Sequence, residues 1–328
     1  MNILGRMDKG CIYMDLLNNI LLKQYWSRIH QLEEKRLKFA HYTSATAACS
    51  IIENNEIWLR NARNMGTNQN QELADPKEFN YGIKMLHEVS LSEAGLELQG
   101  LLRAISNRLD ITVSSITEES KDIIYNKCYL LCLTEHAPEE DKYGRQEMWK
   151  NKDVAFVFNN DWFTENDVNN KMFMVTNVEY FGEETIIERL KEINAGIKSS
   201  FNNIKSMYVR NSSYVTGQFI NMFLCAILGL KTKEHREERE WRIIYVDEPI
   251  KGSYRLQGKN VSLGSKNENI CMLELKNDKY PGIKYISLEE LIYQIIVKNE
   301  IIKSCIIESL HRSGHDSLIN RIVVKARE

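Results

Sequence analysis

Proline is scarce in this sequence, and long apolar runs and an excess of either charge are missing. Only four of the 328 residues are proline, and no segment rich in Pro, Gly or Ser separates two parts of the chain. Without such a linker we expect no clear domain boundary. The longest apolar stretch, residues 219–230, is shorter than the roughly 20 residues that a bilayer-spanning helix needs, so we predict no membrane contact.

The charge balance and the composition exclude two broad classes of protein. Lys and Arg number 43 against 45 Asp and Glu, which gives a formal net charge of -2. A chain with this balance lacks the basic excess that makes nucleic acid the default partner. The net charge does not exclude a local basic groove. With 43% hydrophobic and 27% charged residues, the composition is typical of a folded globular protein and not of a disordered one.

The seven cysteines are odd in number and widely spaced, which is typical of reduced core residues and not of a disulfide framework. Cys128 and Cys132 are close in sequence, but no second cysteine pair completes a zinc site, so we expect no metal. Residues 1–22 mix Arg6 and Asp8 into an apolar background, which is a poor pattern for a signal peptide. We therefore predict a cytoplasmic location.

Apolar spacing predicts a chain that contains both helices and strands. Residues 14–38 carry the spacing of an amphipathic helix, and Ser44 is placed to cap a helix that follows a strand at 37–42. Further strands are predicted at 57–59, 128–134, 154–158, 175–180, 240–246, 270–275, 284–286, 292–297 and 321–325, and helices at 79–125, 183–209, 215–228 and 300–313. We predict an α/β (α+β) fold, with a mixed β-sheet flanked by helices and a helical insertion. Residues 1–36 form an N-terminal helical appendage, and residues 37–328 form a single α/β domain.

Four short segments occur in an order that carries more information than any one of them. They are Phe-Ala-His-Tyr-Thr-Ser at 39–44, the loop at 68–72, Cys-Leu-Thr-Glu at 132–135 followed by Met-Trp at 148–149 and Val-Ala-Phe-Val-Phe at 154–158, and Glu-Arg-Glu-Trp-Arg at 238–242. Over residues 37–300 this order resembles the domain of unknown function family numbered 2971, which is found mostly in bacteria. In that family the loop usually reads Asn-Asp with a later acidic residue, where this chain has Asn68-Gln69 and Glu72. The resemblance implies an effector role in anti-phage defence or toxin systems.

The strand-to-helix corner at His41 is also similar to the opening motif of ADP-ribosyltransferases of the His-Tyr-Glu type. In that family a histidine at the end of the first strand contacts the ribose of NAD, and an aromatic residue stacks on the nicotinamide. A glutamate on a late strand stabilises an oxocarbenium-like transition state by its charge. The resemblance implies NAD as the cofactor, His41 as the ribose contact and Glu240 as the carboxylate. Candidates for the aromatic residue are Tyr129, Tyr143 and Trp149.

The predicted site combines segments that are far apart in the sequence. Its members are Glu240 and Glu238 as catalytic carboxylates, and His41, Tyr42, Thr43 and Trp149 as cofactor contacts. Each of the two main residues also has a structural interpretation. His41 can be a strand-end histidine bonded to the backbone, and Glu240 can be a buried charge paired with Arg242. A cleft that His41 and Glu240 both face would favour NAD chemistry, with a protein or a nucleic acid as the acceptor.

Two other classes of function fit parts of the sequence. Glu-Leu-Lys at 274–276 on a predicted strand matches the Glu-x-Lys fragment of metal-dependent nucleases, and Asp247 is the nearest second acid. A non-catalytic sensor would use the polar loop at 61–75 and the charged run at 231–239 to bind a protein or a nucleic acid. The oligomeric state stays open.

Overall fold

The structure is a computed structural model of the chain. It describes residues 16–17, 19–21, 23, 34, 38–62, 76–105, 126–142, 144–150, 152–159, 173–180, 183–231, 233–247, 256–263, 266–274 and 287–325. Several predicted features lie outside these residues: most of the N-terminal helix, residues 63–75 of the polar loop, Tyr143, Lys276 and the strand at 284–286. In the described part of the chain, no helix is both long enough and apolar enough to cross a membrane.

Helices begin and end at the residues that favour helix termini. The helices are α1 (Ala45–Asn54), α2 (Pro76–Ser90), α3 (Glu93–Ile105), α4 (Glu183–Ser199), α5 (Phe201–Arg210), α6 (Ser212–Leu228), α7 (Leu288–Leu291) and α8 (Glu300–Ser313). Ser44 caps α1, as predicted, because its Oγ accepts a hydrogen bond from the backbone N–H of Ala47 at 3.3 Å. α8 has an Asn299 cap and ends at Gly314, whose φ of 75° is a left-handed conformation that glycine adopts without strain.

The chain forms two compact units. One contains residues 1–28, 68–124 and 178–236, and the other contains residues 29–67, 125–177 and 237–328. The first unit holds α2 to α6. In it α2 and α6 cross closely at Gly82, where a Cβ would lie 2.4 Å from the backbone oxygen of Ile227. Asn194 of α4 donates to the backbone oxygen of Ala94 in α3 at 2.8 Å.

The second unit is built on a ten-stranded sheet. Its strands are β1 (Lys38–Thr43), β2 (Glu56–Asn61), β3 (Cys128–His136), β4 (Val154–Phe158), β5 (Phe173–Asn177), β6 (Glu240–Val246), β7 (Gln257–Leu263), β8 (Lys266–Glu274), β9 (Ile292–Val297) and β10 (Ile322–Val324). They lie in the order β10-β9-β4-β1-β3-β2-β8-β7, with β6 also paired to β3 and β5 paired to β6. β9 and β10 are parallel, and β1 is antiparallel to its neighbours β3 and β4.

The sheet is mixed, and helices flank it. β4 is buried at each of its five residues, as its apolar sequence Val-Ala-Phe-Val-Phe predicts for a strand covered on both faces. α1 and α8 pack on each other, α1 also contacts β2, and α8 also contacts β9 and β10. The predicted α/β class and the strands at 128–134, 154–158 and 240–246 are confirmed. The single domain at 37–328 stays a prediction.

Several elements differ from the sequence-based expectation. The helix predicted at 79–125 is interrupted at residues 91–92, between α2 and α3, and the short helix α7 was not predicted. The helix predicted at 183–209 is interrupted at Ser200, which lies between α4 and α5. β7 was not predicted, because Gln-Gly-Lys-Asn-Val-Ser-Leu lacks the alternation of apolar and polar residues that indicates a strand. It is held by its antiparallel pairing with β8.

Candidate functional site

The described strands leave a gap beside the middle of β3. β6 pairs with residues 128–134 of β3 along one edge. β1 pairs with residues 134–136 and β2 with residues 129–130, so both must lie on the opposite edge. On that edge, the described registers assign no strand to residues 131–133. We call this place, centred on Cys132 between the paired parts of β1 and β2, the sheet gap.

His41 reaches from β1 into the sheet gap. Its Nδ1 lies 3.0 Å from the backbone oxygen of Cys132. Because a carbonyl oxygen only accepts hydrogen bonds, Nδ1 must carry the proton and donate it. The imidazole thus supplies the donor that a neighbouring strand supplies elsewhere in the sheet. In a neutral ring Nε2 is then an acceptor, and it has no hydrogen-bond partner among the described residues.

The electrostatics of the gap keep this imidazole neutral. Burial lowers the pKa of His41 to about 4, the bond to Cys132 opposes that shift, and the positive charge of Lys152 adds to it. Burial also lowers the pKa of the half-buried Lys152, and the like charge of Arg60 lowers it further. A neutral histidine therefore lies close to the basic side chain of Lys152, and Lys152 in turn is close to Arg60.

Tyr42, the next residue of β1, lies in a closed environment that we call the Tyr42 corner, formed by Tyr42, Gly144, Arg145 and Trp149. The Tyr42 and Trp149 rings meet edge to face with centroids 5.3 Å apart. The Tyr42 hydroxyl accepts a hydrogen bond from the Arg145 backbone N–H at 2.6 Å. Both rings are 6% exposed. A nicotinamide could stack on either ring only if the corner opened.

Arg145 connects this corner to the segment that precedes β6. Its guanidinium donates to the backbone oxygens of Glu237 at 3.1 Å and Glu135 at 3.2 Å, and it forms an ion pair with Glu140 at 2.7 Å. The side chain is buried. Sequence reasoning missed Arg145 because it lies in the irregular stretch between β3 and β4, where no periodic pattern marks a residue as buried.

Glu240 is a buried, paired charge. Arg242 donates to it through Nε at 2.7 Å and through a terminal nitrogen at 3.3 Å. Glu240 is 4% exposed and Arg242 is 2% exposed. The Cys132 thiol also hydrogen-bonds to Glu240. Burial, together with this carboxylate, raises the pKa of Cys132 well above its ordinary value. The structural interpretation of Glu240 thus has a concrete geometry, while its catalytic role stays a prediction.

Glu238 and Thr43 have different surroundings from those of Glu240. Glu238 ends a 3-10 helix (Lys233–Glu238) and is half-buried, and its charge is close enough to raise the pKa of the Cys132 thiol. Thr43 is buried, and its backbone oxygen accepts from the N–H of Asp153 at 3.0 Å. The Asp153 carboxylate also accepts from the N–H of Ala45 at 3.2 Å, so the N-terminus of α1 already has an acidic partner.

The predicted site is assembled only in part. Ala40 pairs with Thr134, which pairs with Glu240, so these three residues lie on one face of the sheet. Successive residues of a strand point to opposite faces, so Tyr42 shares this face and His41 lies on the other. The contact between the Phe39 and Trp241 rings, with centroids 5.3 Å apart, fits this alternation.

His41 and Glu240 therefore point to opposite faces of the sheet and do not face one cleft. The pairing register and the alternation of side chains decide this, and a sequence alone does not reveal the register. Cys132 lies between the two residues: its carbonyl bonds to His41 and its thiol bonds to Glu240. Tyr42, Trp149 and the segment before Glu240 do come together, through Arg145.

The pairing register of the strands does not support the nuclease hypothesis. Arg60 of β2 pairs with Leu130 of β3, and Glu274 pairs with Glu56, four residues to one side of that level. Asp247 bonds to Lys127, three residues to the other side. The two acids are therefore about seven residues apart along strands that rise about 3.3 Å per residue, roughly 23 Å. Across the part of the chain that is described, no group of three or more His, Cys, Asp or Glu side chains could hold a metal ion.

Comparison of the chain with protein-family models, with curated proteins and with solved structures finds no match. The assignment of the candidate site therefore rests on the geometry of the structure alone. His41 was identified by its position at a strand end before a helix cap. The structure has that strand end and that cap, and the role of His41 stays a prediction. Lys152 and Arg60 had no sequence signal, because they come together only through the folding of the sheet.

Proposed function

We propose that the protein binds NAD or a related nucleotide at the sheet gap, with His41 as the contact to a ribose hydroxyl. The observation that carries this proposal is the fixed tautomer of His41. Nδ1 donates a hydrogen bond to the Cys132 carbonyl at 3.0 Å, and a pKa of about 4 keeps the ring neutral. Nε2 is then an acceptor for a hydroxyl donor, which a ribose supplies.

Lys152 gives this site the positive charge that a phosphate group requires. The like charge of Arg60 is among the causes of the lowered pKa of Lys152, and an anion beside Lys152 would relieve that repulsion. Lys152 is half-buried, so its charge is less screened than that of a fully exposed lysine. A nucleotide combines the hydroxyl donor and the anion in one ligand.

The pairing of Glu240 favours binding without turnover. Arg242 already compensates the negative charge that a transferase would direct at an oxocarbenium-like transition state. We therefore propose a nucleotide sensor or effector, in line with the implied role in anti-phage defence or toxin systems. ADP-ribosyl transfer is the second candidate, and the observation in its favour is the half-buried Glu238, whose charge reaches the thiol of Cys132, the residue whose carbonyl accepts from His41.

Calorimetric titration with NAD, ADP-ribose, AMP and pyrophosphate tests the proposal on the full chain. In His41→Asn the amide nitrogen can still donate to the Cys132 carbonyl, but the acceptor at the position of Nε2 is lost. We expect affinity for the ribose-containing ligands to fall about tenfold, the value of one hydrogen bond, with little change in melting temperature. Pyrophosphate should bind both proteins alike.

Lys152→Gln tests the phosphate contact, and Lys298→Gln is its matched control. Lys298 is 4.0 Å from Asp153, the sequence neighbour of Lys152, but it is not among the charges that shift the pKa of His41 or Lys152. We expect weaker binding of all four ligands only in the Lys152 variant. Equal affinities in wild type and His41→Asn, or no nucleotide binding by wild type, would overturn the proposal. Release of nicotinamide that depends on Glu238 would favour the transferase over the sensor.

A further inference from the structure

Two cysteines that are distant in the sequence lie next to each other on α1 and α8. The Sγ of Cys49 is 4.0 Å from the backbone oxygen of Cys305, although the two residues are 256 positions apart. Cys305 is exposed and Cys49 is half-buried. Both are free thiols in the structure. Solvent and small oxidants can therefore reach this pair.

Contacts one helical turn C-terminal to the two cysteines show that the cysteine-bearing sides of α1 and α8 face each other. Glu53 follows Cys49 by one turn of α1, and Ser309 follows Cys305 by one turn of α8. The Glu53 carboxylate accepts from the Ser309 hydroxyl at 2.8 Å and from Arg312 at 2.7 Å. Because residues one turn apart share a helix face, these contacts place the side chains at 49 and 305 on facing flanks.

We propose that Cys49 and Cys305 form a reversible intramolecular disulfide when the protein meets a peroxide. The proposal is independent of nucleotide binding. The two helices already pack on each other, so the bond requires no large movement of either helix. It requires the two sulfur atoms to approach to about 2 Å, and we expect rotation of the two side chains to provide that approach.

The reaction balances with hydrogen peroxide as the oxidant. The exposed Cys305 thiolate attacks a peroxide oxygen, which gives a sulfenic acid and releases hydroxide that leaves as water. The Cys49 sulfur then attacks the sulfenic sulfur, the S–S bond forms and a second water leaves. Two thiols and one peroxide thus give one disulfide and two waters. The two electrons lost by sulfur reduce the peroxide.

The other described cysteines are poorly placed to compete. Cys128 and Cys271 are buried. Burial raises the pKa of the Cys225 thiol to about 12, and it raises the pKa of Cys132 well above the ordinary value, so both stay protonated at neutral pH. Reaction at the pair should therefore precede reaction at these four.

Peptide mapping of the full-length protein after peroxide treatment and alkylation tests this inference. We expect a linked peptide containing residues 49 and 305, with the thiol count of the denatured protein falling from seven by two. A thiol reductant should restore seven. The oxidised protein should melt several degrees above the reduced one, because the bond closes a very long loop of the unfolded chain.

Single serine variants identify the order of the two steps. Cys49→Ser should leave a sulfenic acid on Cys305 that dimedone traps, and Cys305→Ser should show no linked peptide and little dimedone adduct. Cys225→Ser is the matched control and should form the linked peptide as wild type does. A wild type in which Cys305 is oxidised to sulfonic acid while Cys49 stays free would overturn the proposal. So would disulfides that join two chains through Cys305.

Discussion

The two sides of β1 differ in how completely their polar groups are satisfied. On one side the Tyr42 hydroxyl accepts from Arg145, the Trp149 ring packs against Tyr42, and Glu240 is held by Arg242. On the other side His41 uses one ring nitrogen to bond to the backbone and keeps the other as an acceptor. The two sides belong to the same short strand, so neighbouring residues have different roles.

This difference indicates where stability and binding are located. A side chain whose hydrogen bonds are all made inside the protein stabilises the fold, and removing one partner leaves the other buried and unsatisfied. A fixed, neutral acceptor beside a basic side chain, here Lys152, is prepared for a ligand. We therefore expect changes on the Tyr42 side to lower stability and changes at His41 to alter binding.

The largest effect is expected for Glu240→Gln. The change leaves the Arg242 charge buried at 2% exposure without its compensating carboxylate. The free energy of unfolding should fall by about 3–5 kcal/mol, measured by urea denaturation. In the double variant Glu240→Gln with Arg242→Met, where no charge is left, we expect much of this loss to be recovered. Wild-type stability in the single variant would make Glu240 a site residue and not a structural one.

A smaller loss is expected for Gly144→Ala in the Tyr42 corner. Gly144 has φ 63°, and a Cβ there would lie 2.9 Å from the Trp149 ring and 3.0 Å from the Tyr42 hydroxyl. Left-handed strain and overpacking together should cost about 2–3 kcal/mol in thermal or urea unfolding. Gly100→Ala is the control: in α3 nothing lies within 4 Å of the new Cβ, so a slight gain is expected. Equal stability of both variants would mean that the corner is loosely packed.

The smallest effect on stability concerns pH and His41. Its pKa is about 4 in the folded protein, against 6.5 for an unperturbed histidine. Between these values the unfolded chain binds the proton and the folded protein does not. Stability is therefore full above pH 6.5 and falls as the pH drops towards 4. We expect wild type to lose about 2 kcal/mol more than His41→Asn between pH 7 and pH 5 in urea unfolding. Parallel losses would show that the folded protein does not hold His41 as a neutral ring.

Sequence patterns predict the elements of this molecule better than their arrangement. The buried strand at Val154–Phe158 and the cap at Ser44 follow from composition and from local hydrogen bonding, so both were predicted. The separation of His41 from Glu240 depends on the registers of β1, β3 and β6, which involve residues far apart in the chain. The sheet gap likewise arises because two strands share one edge of β3, and no local pattern encodes that. β7 has little apolar character, and its partner β8 determines its conformation.

The most direct test of the account is the long-range nitrogen–proton NMR spectrum of His41, assigned by comparison with His41→Asn, followed while NAD is added. We expect a neutral ring protonated at Nδ1 at pH 7 and still neutral at pH 5, because its pKa is about 4. Saturation with NAD should shift the Nε2 resonance, since that nitrogen accepts the ribose hydroxyl, while the Nδ1 resonance changes little because its bond to Cys132 persists. A ring protonated at Nε2, or an Nε2 resonance unmoved by saturating NAD, would contradict it.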